Sequence, residues 1–157
     1  MTMNLDELIR GGTFCLSKAG LAEGTGASTL KTAAPNGAGV DYCIDGTLYH
    51  CADADNIPMT TCAVQAALTI CLYLVSLDTS GDMTITKGIE QLTADLTAGT
   101  HTLEWPTAPV DQCPIAAFKI ATGTATTFTS GTTDLSAALV TDTYYDLVAV
   151  PTAPLTS

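Results

Sequence analysis

Few side chains in this chain could do chemistry, and their spacing already limits what that chemistry is. Its two histidines are His50 and His101, and cysteines stand at 15, 43, 51, 62, 71 and 113. A nucleophilic pair would join His50 to Cys51 or to a serine, the imidazole drawing off the thiol or hydroxyl proton. Adjacent residues of a strand point to opposite faces, so His50 and Cys51 cannot form a dyad directly. GxSxG, HExxH and Walker patterns do not occur. Asp53-Ala54-Asp55-Asn56 opens like a calcium loop, but Pro58 and Val64 occupy the places where an EF-hand needs Gly and a bidentate Glu. A looser site with Asp41 or Asp45 stays open. Gly24-Thr25-Gly26 and Gly123-Thr124 precede no lysine-bearing helix start and make no phosphate cradle. Asp45, Asp78, Asp82 and Asp134 fall in turns, where bonding to local backbone accounts for them. The expectation is a non-enzyme with no cofactor and no resident metal.

The cysteines number six, enough for a disulfide set, but their setting reads differently. Most lie in apolar or alternating runs such as Thr69-Ile70-Cys71-Leu72-Tyr73, where cysteine behaves as a small hydrophobe. The chain also opens on MTMNLDELIR, acidic and without a basic-then-apolar secretory layout, which favours reduced, buried thiols over disulfides. No CxxC pair is present, and the nearest spacings match no zinc ribbon or finger.

These side chains must be positioned mainly by strands and turns. Val40–Ile44 and Thr47–Cys51 flank Asp45-Gly46, which predicts a type I′ hairpin with positive φ at both central residues. Leu72–Leu77 and Met83–Lys87 flank a polar Asp78–Asp82 turn as a second hairpin. Further strands are expected at Thr13–Lys18, Ser28–Thr32, Val64–Ile70, Pro114–Ala121, with Thr126–Ser130 as the partner of the last, and Thr143–Val150. Glu90–Leu103 is ambiguous, the near-helical stripe of Ile89, Leu92, Leu96 and Leu103 being weakened by Thr93, Thr97, Gly99 and Thr100, and Trp105–Pro109 reads as an extended linker. Many short strands between Gly, Pro, Asp and Ser turns predict an all-β fold, an antiparallel β-sandwich or small β-barrel. Residues 1–12 read as an N-terminal arm set off by Gly11-Gly12, 13–150 as one β domain, and 151–157 as a proline-interrupted tail.

Composition excludes partners. Across 157 residues, 16 acidic against 5 basic side chains give a formal charge of -11, which opposes both a polyphosphate backbone and anionic lipid. Neither nucleic acid nor membrane is an expected partner. The longest apolar run, Ala63–Leu77, is broken by Gln65, Thr69 and Ser76 and is shorter than the ~20 residues of a spanning helix. Charged residues are only 13% of the chain, and 28 threonines supply polar strand faces in their place.

The ordered succession of Tyr73–Gly81, a Pro-rich connection, Cys113–Thr122, Thr127–Leu135 and Val140–Asp146 resembles small structural proteins of tailed bacteriophages. The resemblance spans about residues 40–150 and includes capsid decoration, or cement, proteins. It implies a virion protein made in the host cytoplasm. Such a protein binds the major capsid protein on the outer lattice, stabilises it, and self-associates as a trimer. Within that reading, Leu5, Leu8 and Ile9 of the arm and Tyr144-Tyr145 are the candidate capsid or subunit contacts. Three other readings are a tail or fibre component that binds a host glycan, with Trp105 as the aromatic at issue, a small hydrolase, and a secreted disulfide-bonded adhesion module.

Overall fold

The computed structural model describes residues 12–33 and 37–148, so the arm residues Leu5, Leu8 and Ile9 and the tail from 151 lie outside the described residues. The fold is nearly all β, built from three antiparallel sheets, none closed into a barrel. One sheet joins β1 (Phe14–Cys15), β4 (Val40–Ile44) and β5 (Thr47–Cys51). A second joins β2 (Ala22–Glu23), β3 (Thr29–Lys31) and β6 (Ile57–Pro58). The main sheet runs in the order β11 (Val140–Asp146), β10 (Cys113–Thr122), β7 (Thr69–Leu77), β8 (Met83–Lys87), with β9 (Gln91–Leu92) pairing the start of β7. A single-turn helix, α1 (Thr93–Ala98), follows β9 and ends on Gly99 at φ 70.

Both expected hairpins form. Ile44 pairs Thr47 across Asp45 (φ 48) and Gly46 (φ 80), both left-handed as a I′ turn requires. Leu77 pairs Met83 across the second turn, where the Asp78 carboxylate accepts from the backbone N–H of Ser80 and Asp82 at 2.8 and 3.0 Å. Other expectations need correction. Thr126–Ser130 is not the partner of β10, which pairs β7 and β11 instead; only Phe128 makes a bridge, to Gln65. Val64–Leu68 is no strand, because the chain turns at Leu68 (φ 58) before β7 begins. The closing strand starts at Val140 rather than Thr143 and ends at Asp146. Of Thr13–Lys18 only Phe14–Cys15 pairs, and Glu90–Leu103 divides into β9 and α1.

Alternation along β7 and β10 divides the main sheet into two faces. Tyr73, Val75, Leu77, Ile115, Phe118 and Ile120 point to one face and form a continuous core with Val40, Tyr42, Ile44 and Leu30 of the two smaller sheets. Tyr73 and Phe118 stack there at 4.9 Å and 3°. On the other face Leu72, Leu74, Ser76 and Ala117 are buried as well. The segment 100–112 runs over that face as a strap: Gln112 Nε2 donates to Thr84 Oγ1 at 3.2 Å, and the Trp105 ring meets Tyr145. Gly88 is required for this approach, since a Cβ there would come 2.9 Å from the Leu72 carbonyl oxygen and 3.1 Å from Pro106 Cγ.

Gln65 pins the loops to the sheet. It is fully buried, its Nε2 donating to the carbonyls of Thr69 and Ile120 at 3.2 and 3.1 Å and its Oε1 accepting from Tyr73 Oη at 3.0 Å. Its backbone exchanges hydrogen bonds with Phe128 at 2.8 and 3.2 Å. A buried amide so completely satisfied fixes one arrangement of 123–131 against β7.

Candidate functional site

The reactive side chains are not brought together. His50 and Cys51 point to opposite faces of β5: the His50 Nδ1 lies 2.8 Å from Asp41 Oδ1 on the outer face, whereas Cys51 lines a half-open pocket of about 400 Å³ with Val40, Ile57, Leu77 and Met83. Burial, reinforced by Asp53, pushes the Cys51 thiol up, so it stays protonated and weakly nucleophilic there. The six cysteines stand as free thiols. Burial also raises Cys71 to about 11 and Cys113 to about 12.

The Asp53–Asn56 stretch serves the fold. Asp55 accepts from the backbone N–H and hydroxyl of Thr25, and Asn56 Oδ1 accepts from Gly26 N–H at 2.6 Å, which ties the β2–β3 turn to β6. The Thr25 hydroxyl bond holds the Asp55 carboxyl below the usual carboxylate range. Asp41 is engaged by His50, and Asp45 Oδ1 lies 3.4 Å from Thr13 Oγ1. Among the described residues no three His, Cys, Asp or Glu side chains are grouped to hold a metal ion.

The two candidate tyrosines part company, as neighbours on a strand must. Tyr144 turns inward against Phe118 at 6.3 Å, and burial pushes its hydroxyl pKa upward. Tyr145 turns outward, in register with Ala117, and meets Trp105 edge-on at 6.1 Å and 84°. Sequence reasoning did not connect Trp105 with Tyr145. They lie forty positions apart, and only the course of the strap makes them neighbours.

A second surface feature lies where β7 and β11 begin and β9 ends. Leu68, Leu92 and Leu139 are 50%, 52% and 61% exposed. Backbone bonds from Thr93 N–H to Leu68 O, Leu68 N–H to Gly123 O and Gly123 N–H to Leu139 O, at 2.9, 3.3 and 2.8 Å, hold them in one neighbourhood. A shallow depression beside them is lined by Leu68, Leu92, Thr93, Ala94, Thr97 and Ala98, with no charge. Leu68 and Leu139 both adopt left-handed backbone, at φ 58 and 65. That conformation costs an L-residue with a bulky side chain about 1–2 kcal/mol relative to right-handed backbone, and Gly or Asn relieves it. Leu139 packs on Gly123, where an added Cβ would come 2.8 Å from the Leu139 Cβ, yet half or more of each leucine stays exposed. Strain of this kind gathers where a surface has a task.

Comparison of the chain with protein-family models, curated proteins and solved structures finds no match.

Proposed function

We propose that this chain is a structural protein of a tailed-phage virion, a decoration protein that binds the outer capsid lattice through the leucine-rich end of its main sheet. The observation that carries the reading is the pair Leu68 and Leu139, exposed and apolar in left-handed conformations that a free surface would fill with Gly or Asn. An uncharged depression lined by leucine, alanine and threonine suits burial against a protein neighbour, and the charge of -11 keeps crowded copies soluble and away from packaged DNA. The ordered motifs of Tyr73–Asp146 and their likeness to phage structural proteins support the same reading. The chain acts by binding: each docked copy adds interface across capsid subunits and shifts the particle equilibrium toward the assembled state. Leu5, Leu8 and Ile9 belong to this proposal as an arm reaching a neighbouring subunit, and a trimer is the expected assembly.

Co-sedimentation with capsids stripped of their outer proteins tests it. The purified chain should pellet with the capsids to saturation, and the double variant Leu68→Asn/Leu139→Asn should stay in the supernatant while remaining folded. A wild-type chain that never pellets with capsids, or a variant that pellets as well as wild type, defeats the proposal.

A further inference from the structure

The strap that covers the second face of the main sheet also builds a cleft of another chemical character. It is a hollow of about 410 Å³ lined by Thr86, Gly88, Ile89, Glu104, Trp105 and Thr107, among others. Trp105 is the only tryptophan in the chain and is 54% exposed. Two features fix its ring. Pro106 seats the strap against Gly88, and Tyr145 abuts the indole edge-on. A large aromatic held rigid at the surface presents a binding face with little ordering left to lose on contact. Around it stand the polar groups of Glu104, Thr86 and Thr107. The one cation of the lining, Lys87, is already engaged: its Nζ donates to Glu90 Oε2 at 3.0 Å and to the Val64 carbonyl at 3.1 Å.

We propose that this cleft is a binding site for a neutral saccharide. A sugar ring has an apolar C–H face that stacks on an indole and a rim of hydroxyls that donate to a carboxylate and exchange hydrogen bonds with threonine hydroxyls. Trp105, Glu104, Thr86 and Thr107, which supply those groups, line the same hollow. A nucleotide or an acidic sugar suits the site poorly, because the lining offers a carboxylate while its lysine is held by Glu90. The cleft shares no lining residue with the depression at the leucine-rich end, so the inference rests on different side chains from those of the docking proposal. A monosaccharide has few heavy atoms, and a shallow site of this kind binds it with a dissociation constant of about a millimolar.

Trp105 is its own reporter. Fluorescence titration of the purified chain with glucose, galactose, mannose and N-acetylglucosamine, each to tens of millimolar, should give a saturable change with at least one of them. Sialic acid titrated in parallel should give none. For that sugar, Glu104→Gln should weaken binding several-fold in the same assay. Trp105→Ala, followed by the sugar's own saturation-transfer NMR signal, should lose binding at least tenfold with its melting temperature nearly unchanged. Trp105→Phe should retain part of it. Absence of a saturable response to all four neutral sugars overturns the inference. So does equal binding by Trp105→Ala, or a stronger response to sialic acid.

Discussion

Replacing Leu68 and Leu139 by Asn should separate fold from function, because the structure sets two opposing contributions of similar size at each site. Left-handed backbone costs a leucine about 1–2 kcal/mol, and Asn recovers roughly 1 kcal/mol of it by tolerating that region. Against this stands the loss of apolar burial. Leu68 is 50% exposed and Leu139 61%, so each buries half of its side chain or less. Full burial of a leucine is worth about 1.5–3 kcal/mol, which makes the loss about 1 kcal/mol per site. The backbone bonds Leu68 N–H to Gly123 O and Gly123 N–H to Leu139 O do not involve the side chains and persist. The net change for the double variant is therefore within about 1 kcal/mol, or about 2–4 °C in melting temperature for a domain of this size. Thermal unfolding followed by circular dichroism reads it directly. A fall of more than about 10 °C, well beyond that range, would show that these leucines are ordinary packing and that their strain has no bearing on a docking role.

Other consequences follow from the interior. Gln65→Leu should destabilise by about 2–4 kcal/mol in denaturant titration, since it strands the Tyr73 hydroxyl and the carbonyls of Thr69 and Ile120; a neutral result would refute the pinning role. In the native state a thiol reagent should label Cys51 and Cys62, which are partly exposed, well before Cys15, Cys43, Cys71 and Cys113, which are buried; uniform labelling rates would contradict the packing. Stability should fall in alkali. Cys71 and Cys113 are raised to about 11 and about 12, so the unfolded thiols near 9 release protons first. Their contribution is whole below pH 9 and is lost as pH rises through the folded values, and Cys71→Ala/Cys113→Ala should flatten that limb of a melting-temperature profile. Asp55 has the opposite sign: its lowered carboxyl stabilises above about pH 4 and that contribution is lost as pH falls through its folded value, so Asp55→Asn should flatten the acid limb.

What the residues announced and what they withheld divide along the range of the interactions. Asp45-Gly46 and the Asp78–Asp82 turn were legible because a local backbone requirement, positive φ or an Asx bond, selects the residue type. The strand at Cys113–Thr122 was legible from its alternation, but its partners were not. Thr126–Ser130 has the β-prone pattern, yet β10 takes the longer and more apolar β7 and leaves Phe128 a single bridge to Gln65. Val64–Leu68 looked continuous with β7 because composition does not reveal a left-handed Leu68. Parity along β11 required Tyr144 and Tyr145 to face apart, and nothing local could place Trp105 beside one of them. The leucine-rich end was invisible for the same reason, since Leu68, Leu92 and Leu139 are scattered over seventy positions and meet only through the sheet's ends.

The most direct measurement of the central proposal is the copy number of this chain, by quantitative mass spectrometry, in purified virions produced from the genome that encodes it. A lattice-covering decoration protein should be present at an abundance comparable to that of the major capsid protein. Scarcity at the level of a tail component would contradict a place on the capsid lattice, and complete absence from the particle would contradict a virion role altogether.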